Sequence, residues 1–235
     1  SGAFANNGTV NGAFANSGGG LLWGNGTIFG SLANAAVVSP GNSIGTLNVA
    51  GDVTLAPGST YAVELSPTSS DRIVAGGTAT VSGASVSLAL ENSPTLLSSA
   101  EAQSLLGRQY NILQASGGVQ GQFAAVVPNY LFIGGALDYA ASGIQLNIQR
   151  NATSFASVGQ TPNQRSVAAA VEGLGAGNSV YESVLRAPTQ ASAQQAFQQL
   201  SGEIYPALGT MLINDSRLLR DAVGERLHDE SATRS

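Results

Sequence analysis

The sequence contains neither cysteine nor lysine, and each absence excludes a class of chemistry. Without cysteine there is no disulfide, no thiolate metal site and no cysteine nucleophile. Without lysine there is no phosphate-binding loop of the kind that places a lysine against the phosphates. Because small secreted domains usually depend on disulfides, a secreted chain without cysteine favours export through a pore too narrow for a disulfide-closed loop.

Charged and aromatic residues are also scarce. Charged residues make up 10% of the chain, against about 25% in ordinary domains. The net charge is −5, which leaves no basic footprint for nucleic acid. Aromatic residues make up 6%, so small aliphatic side chains must fill a narrow core. No apolar run reaches the length of a membrane helix. The first residues lack the regions of a signal peptide, and we expect them to follow a cut inside a longer protein.

Short apolar runs closed by glycine, proline or asparagine turns dominate the first 150 residues. Residues 38–65 alternate in character, as strands with one buried face require, and no helix separates the strands. The pattern therefore favours structure and assembly over catalysis. Further strands are predicted at 72–74, 79–81, 84–90, 109–113, 123–127, 130–133, 136–139 and 143–148, with a short helix or loop at 92–107. The predicted structural turn residues are Pro40, Gly41, Asn42, Gly45, Gly51, Pro57, Gly58, Gly76 and Gly83.

A near-repeat opens the chain, with GAFANNG at 2–8 and GAFANSG at 12–18. Short strands followed by Asn/Gly turns are typical of β-solenoid rungs, and a low-complexity linker is the alternative. Trp23 and Phe29 favour order, since flexible linkers rarely carry large apolar groups.

After Arg150 the apolar spacing changes to that of helices, predicted at 162–174, 180–185, 192–200 and 204–227. In the last of these, one apolar stripe opposes a polar face that carries Arg217 and Arg220. About 24 helical residues span roughly 36 Å, so this helix fits a protein-lined aqueous pore. An ordinary amphipathic helix in a bundle is the alternative. The pore-helix stripe consists of Leu208, Leu212, Leu219, Val223 and Leu227.

The quoted features occur in an order that resembles the C-terminal part of an autotransporter passenger, a surface-exported protein of Gram-negative bacteria. The resemblance covers nearly the whole chain. It rests on SPGNSIGTLNVAGD at 39–52, LAPGSTYAVEL at 55–65, YNILQASGGVQGQFA at 110–124, TPNQRSVAAAVEGL at 161–174 and DSRLLRDAVGERL at 215–227.

The resemblance implies a mainly β fold, a right-handed parallel β-helix followed by a C-terminal α-helical segment. Residues 1–36 are then the last regular rungs, 37–150 an autochaperone-like β-helix end and cap, and 151–235 a helical linker leading to an absent outer-membrane barrel. The implied function is a non-catalytic folding and secretion module in type V secretion, templating β-helix folding during outer-membrane translocation.

The partners implied are the protein's own outer-membrane β-barrel and the upstream passenger, with the barrel-assembly machinery as a further candidate. No nucleic acid and no cofactor are expected, and any host surface ligand is unknown. The chain would be at the cell surface or secreted, after export through the periplasm and outer membrane.

Two alternatives remain open for the parent protein. The chain could be the stem of a surface adhesin that binds host ligands in virulence, for which the 91–108 insert is the candidate loop. It could also be the stem of an autotransporter hydrolase, a protease or esterase, whose catalytic domain lies upstream.

No catalytic, cofactor-binding or metal-binding residue is predicted in the chain itself. His228 lies in a polar terminal tail, which offers neither a rigid base nor an oxyanion hole. Asp52, Glu64 and Asp71 are interpreted as solvated turn carboxylates. The segment 130–132 is interpreted as an apolar face that closes the last rung.

Overall fold

A computed structural model describes residues 2–202 together with Arg217 and Arg220. These residues form two compact units, one comprising residues 2–153 with Leu185–Thr189, the other residues 154–184 and 190 onward. Both arginines are exposed and helical. The five residues of the pore-helix stripe and His228 lie outside the described residues.

Eighteen short strands and a single short helix make up the first unit. In chain order they are β1 (Ala3–Ala5), β2 (Thr9–Val10), β3 (Phe14–Asn16), β4 (Leu21–Gly24), β5 (Thr27–Ile28), β6 (Leu32–Asn34), β7 (Val37–Pro40), β8 (Thr46–Val49), β9 (Val53–Leu55), β10 (Thr60–Leu65), β11 (Arg72–Ala75), β12 (Ala79–Ser82), β13 (Ser85–Leu90), α1 (Ser99–Ser104), β14 (Gln109–Ala115), β15 (Val119–Gln122), β16 (Ala125–Val127), β17 (Ile133–Ala140) and β18 (Gly143–Arg150).

Every third strand pairs in parallel with the one a full turn earlier, which winds the chain into a three-sided β-helix. Sheet 1 has the order β1-β4-β7-β10-β13-β16, sheet 2 the order β17-β18-β14-β11-β8-β5-β2, and sheet 3 the order β15-β12-β9-β6-β3. Only the β14–β18 and β17–β18 pairs are antiparallel among these ladders. The predicted mainly β fold, a parallel β-helix followed by helices, is confirmed.

The alternation of side chains explains why these segments form rungs. In β10 every second residue is buried, and the parallel register places like positions above one another at roughly 4.8 Å. One such stack, Leu22, Val38, Tyr61 and Val86, is fully buried through four successive rungs. Small aliphatic residues thus fill the interior, as their abundance predicts, with Tyr61 as a large exception.

An asparagine ladder lies inside the first rungs, and the sequence reasoning did not identify it. Asn16 Nδ2 donates to Asn34 Oδ1 at 2.7 Å and to the Val37 carbonyl at 2.7 Å. Asn34, with 1% of its surface exposed, donates in turn to the Ala36 carbonyl at 3.2 Å. Because these amides bond to the next rung and to the backbone, polar groups are accommodated in the core.

The predicted turn residues lie between strands, except for Pro40, which ends β7 and is buried. Gly41 has φ +92°, a conformation that favours glycine. Gly76 instead meets a close approach, since an added Cβ would overlap the Ala50 carbonyl oxygen of the previous rung. The predicted strand at 130–133 is wrong for its first residues, because β17 begins only at Ile133.

Four short helices make up the second unit: α2 (Phe155–Val158), α3 (Pro162–Leu174), α4 (Ser179–Leu185) and α5 (Gln190–Leu200). Helix α3 begins at a capping box in which Thr161 accepts from the Gln164 N–H, with Pro162 in the first turn. The Phe155 and Tyr181 rings lie 5.2 Å apart, and Gln194 Nε2 donates to the Val158 carbonyl at 2.8 Å. The unit thus has its own aromatic contact and side-chain bond.

Candidate folding surfaces at the two ends of the β-helix

The first rung of the β-helix consists of β1, β2 and β3. Strands β1, β2 and β3 each lie at the edge of their sheet. Phe4 on β1 is 43% exposed, whereas Leu22, its partner one rung further, is fully buried. The Phe4 and Phe14 rings lie 4.9 Å apart.

At the C-terminal end of the β-helix, sheet 2 finishes in a hairpin that runs against the winding direction, whereas sheets 1 and 3 finish at β16 and β15. Strand β18 pairs antiparallel with β14, and β17 pairs antiparallel with β18. An added Cβ at Gly135 in β17 would lie 2.6 Å from Val126 Cγ1 and 3.0 Å from Leu146 Cδ1. Strand β17 thus packs directly on the last interior side chains. Parallel growth of sheet 2 ends at this hairpin, which we call the cap.

Tyrosine hydroxyls tie the cap and its neighbouring loops to the backbone. Tyr139 Oη accepts from the Phe123 N–H at 2.9 Å, and Tyr130 Oη donates to the Leu97 carbonyl at 2.6 Å. Burial raises the pKa of both phenols above the ordinary value, so each keeps its proton at neutral pH. Of the residues 130–132, interpreted as an apolar face that closes the last rung, Phe132 is fully buried, whereas Tyr130 and Leu131 are partly exposed.

The hydroxyls of two further tyrosines donate hydrogen bonds to backbone carbonyls in the rungs that precede the cap. Tyr61, fully buried, donates to the Ile112 carbonyl across the interior. Tyr110 donates to the Ser66 carbonyl at 2.7 Å and so fixes the turn that follows β10. Burial raises the pKa of both phenols, and for Tyr61 the nearby Asp71 charge adds to the effect. These bonds connect rungs that are far apart in sequence.

A buried carboxylate joins two adjacent rungs. Asp71 has no exposed surface and accepts from the N–H groups of Gly45 and Glu64, each at 2.8 Å. Burial raises its pKa from 3.8 to about 7, with Glu64 and Glu91 adding to the rise, although both N–H donors act in the opposite direction. The interpretation of Asp71 as a solvated turn carboxylate is wrong, since its turn points the side chain inward.

The other two carboxylates of that prediction are more exposed. Asp52 is exposed and accepts from the Thr78 N–H at 2.8 Å. Glu64 is partly exposed, and burial raises the pKa of its carboxyl. No sequence signal separates Asp71 from these two, because its burial depends on how the rungs stack.

Neither a cluster of metal-ligating side chains nor a membrane-spanning helix is found in the described part of the chain. Within residues 2–202, Arg217 and Arg220, no group of three histidine, cysteine, aspartate or glutamate side chains is placed to hold a metal ion. In the same part of the chain, no helix is long and apolar enough to cross a membrane.

The fold is that of a β-helix in which an antiparallel hairpin ends the parallel pairing of sheet 2. No protein-family model matches the chain. The chain is similar to two extracellular serine proteases of Serratia marcescens. It is 36% identical to one over 258 residues, which cover 92% of this chain and 25% of the relative. It is 33% identical to the other over 236 residues, covering 83% and 23% respectively. The chain spans about a quarter of the length of these relatives.

Proposed function

We propose that the chain is a non-catalytic folding and secretion module of an autotransporter passenger, which templates β-helix folding during translocation across the outer membrane. The observation that carries the proposal is the cap, the antiparallel hairpin of β17 and β18 at which the parallel pairing of sheet 2 stops.

A stable cap can give the folding of a solenoid a direction, from the cap toward the earlier rungs. The stability of a solenoid is approximately a sum of rung and neighbour terms, so folding can begin at one stable rung set and propagate. The cap region has long strands, buried aromatic side chains and tyrosine bonds to the backbone. A nucleus formed there offers unpaired strand edges to the rung that precedes it in sequence. Each newly folded rung then offers its own strand edges to the next.

The relatives support a second, compatible proposal for the parent protein. Both are named extracellular serine proteases, and the matched part is about a quarter of each. We infer that this chain is the stem of a secreted or surface-exposed protease whose catalytic residues lie elsewhere in the parent. The expected partners are then the upstream passenger and an outer-membrane barrel. If the isolated chain cleaves peptides or reacts with a serine-directed fluorophosphonate, its non-catalytic assignment is wrong.

A cap variant tests the folding proposal with Trp23, the single tryptophan, as reporter. Trp23 lies on β4, in the second rung, far from the cap along the β-helix. In Gly135→Val the new side chain overlaps Val126 and Leu146, which we expect to cost about 1–3 kcal/mol. If the cap nucleates folding, the recovery of Trp23 fluorescence after dilution from urea slows by roughly 5- to 150-fold.

Ala140→Val, at an exposed position on the same strand, is the matched control. It should refold within about twofold of the wild-type rate, because its side chain points away from the interior. If Trp23 recovers at the wild-type rate in Gly135→Val, the rungs fold independently of the cap and the proposal fails. In the parent protein, deletion of residues 109–148 should abolish surface display and protease resistance of the passenger, and normal display would also contradict it.

A further inference from the structure

Two hollows lie side by side on the outer surface of sheet 2, and both are bordered by the turn after β10. One has a volume of about 450 Å³ and the other about 420 Å³. Thr68, Gln109 and Tyr110 line both, so the hollows form one continuous groove. We call this surface the arginine groove, after Arg72 in the first hollow and Arg108 in the second.

The two arginines are notable because cations are scarce in this unit. Within residues 2–153 the only basic residues are Arg72, Arg108 and Arg150. Arg150 Nη1 donates to the Asn151 carbonyl. The guanidinium groups of Arg72 and Arg108 make no hydrogen bond or ion pair with the described part of the chain. In two of the three arginines of residues 2–153 the guanidinium group therefore has no hydrogen-bond or ion-pair partner among the described residues, and both lie beside the same turn.

The chain also fixes where the two charges stand. Arg72 is the first residue of β11, and Arg108 directly precedes β14, the neighbouring strand of sheet 2. Because Ile73 pairs with Leu113, Arg72 lies level with Ile112, and Arg108 precedes that position by four residues, about 13 Å along the strand direction at roughly 3.3 Å per residue. The turn between the hollows is held by the bond from Tyr110 Oη to the Ser66 carbonyl and by Ser66 Oγ, which accepts from the Ser69 N–H at 3.1 Å. The groove is thus formed before any ligand arrives, which lowers the entropy cost of binding.

The groove continues into a third hollow whose polar groups are mainly amides. This hollow, of about 350 Å³, shares Asn111 with the first and is also lined by Gln114, Gln145 and Asp138. Asp138 accepts from Asn147 Nδ2 at 2.7 Å. Each amide both donates and accepts hydrogen bonds, as does each sugar hydroxyl. The groove therefore runs from a cationic end, across amides, to a single carboxylate.

We propose that the arginine groove binds an acidic oligosaccharide, with Arg72 and Arg108 on its anionic groups and the amides of the third hollow on its hydroxyls. Guanidinium groups bind carboxylate and sulfate oxygens through paired N–H donors. The amide and hydroxyl lining suits vicinal sugar hydroxyls, because each of these groups both donates and accepts hydrogen bonds. The proposal is independent of the folding role, because the groove is on the outside of the rungs.

Titration of the full chain with a sulfated heparin-derived hexasaccharide tests the proposal, with neutral maltohexaose as the comparison ligand. Wild-type protein should bind the sulfated probe and not the neutral one, and the affinity should fall as salt is raised. The double variant Arg72→Gln/Arg108→Gln should bind it roughly tenfold more weakly, a loss of about 1.4 kcal/mol. Arg165→Gln, an exposed arginine of the second unit, is the matched control and should bind as wild type.

Three results would overturn the proposal. Equal binding of the neutral and sulfated probes would show that the groove does not recognise the anionic groups of its ligand. Unchanged affinity in the double variant would place the anion elsewhere. Equally tight binding of a hexaglutamate peptide, lost in the same double variant, would assign the groove to acidic peptides instead. Because both arginines are partly or fully exposed, the far-UV spectrum of the double variant should match wild type, which separates loss of binding from loss of fold.

Discussion

Replacing Asp71 by asparagine should remove the pH dependence of β-helix stability that this carboxyl causes. The Asp71 carboxyl is buried, and its pKa rises from 3.8 to about 7 on folding. The folded protein therefore holds this proton more tightly than the unfolded chain does. Its contribution to stability is fully present below about pH 4 and is lost as the pH rises through 7.

The magnitude follows from the shift. About 3 pKa units at 1.36 kcal/mol each correspond to about 4 kcal/mol of unfolding free energy between pH 4 and pH 8. An asparagine at this position carries no charge at either pH, so the variant would not lose this unfolding free energy between pH 4 and pH 8. Its Nδ2, however, cannot accept one of the N–H groups that Asp71 now accepts from Gly45 and Glu64, which costs about 1–3 kcal/mol at every pH.

The two effects have opposite signs, so the curves of wild type and Asp71→Asn should cross. At pH 4 the variant should be less stable by about 1–3 kcal/mol, and at pH 8 more stable by a similar amount. Urea unfolding followed by far-UV circular dichroism at both pH values measures this. Asp52→Asn, at an exposed turn carboxylate, is the control and should keep the wild-type pH dependence. If Asp71→Asn keeps it too, the buried carboxyl is not the cause.

Two further substitutions test the packing of the rungs, both by urea unfolding. Asn34→Leu removes the acceptor of the 2.7 Å hydrogen bond from Asn16 and should lower the free energy of unfolding by about 1–3 kcal/mol. The control Asn42→Ala, at an exposed turn, should change it by less than about 0.5 kcal/mol. Equal effects of the two substitutions would mean that the asparagine ladder contributes nothing to stability. Gly76→Ala places a Cβ against the Ala50 carbonyl oxygen and should lower the free energy of unfolding by about 1–3 kcal/mol. In the control Gly8→Ala the new Cβ meets nothing within 4 Å. An equal loss of stability in both variants would refute the close-approach argument.

Strand positions could be predicted where a segment carries its own signal. The alternating residues of β10 and the Pro-Gly turn before it are local features, and the observed strand agrees with them. Helix α3 is another case, because Thr161, Pro162 and Gln164 form a capping box that is visible in the sequence.

Features that depend on pairing between distant residues could not be predicted in the same way. The hairpin of β17 and β18 has strand-like residues, but its antiparallel direction depends on how β18 meets β14. The asparagine ladder requires Asn16 and Asn34 to occupy the same position in adjacent rungs. Arg72 and Arg108 are 36 positions apart in the sequence, and only the winding brings them to one groove.

The amino-acid pattern alone is enough to specify a chain that winds as a β-solenoid and then changes to helix. The spacing of apolar residues and turn residues is a local property that each short segment expresses on its own. The capped end, the burial of Asp71 and the two arginines of one groove became apparent only in the folded chain. These features depend on rung register, which sets what lies above, below and beside each residue, and register is a property of the whole wound chain.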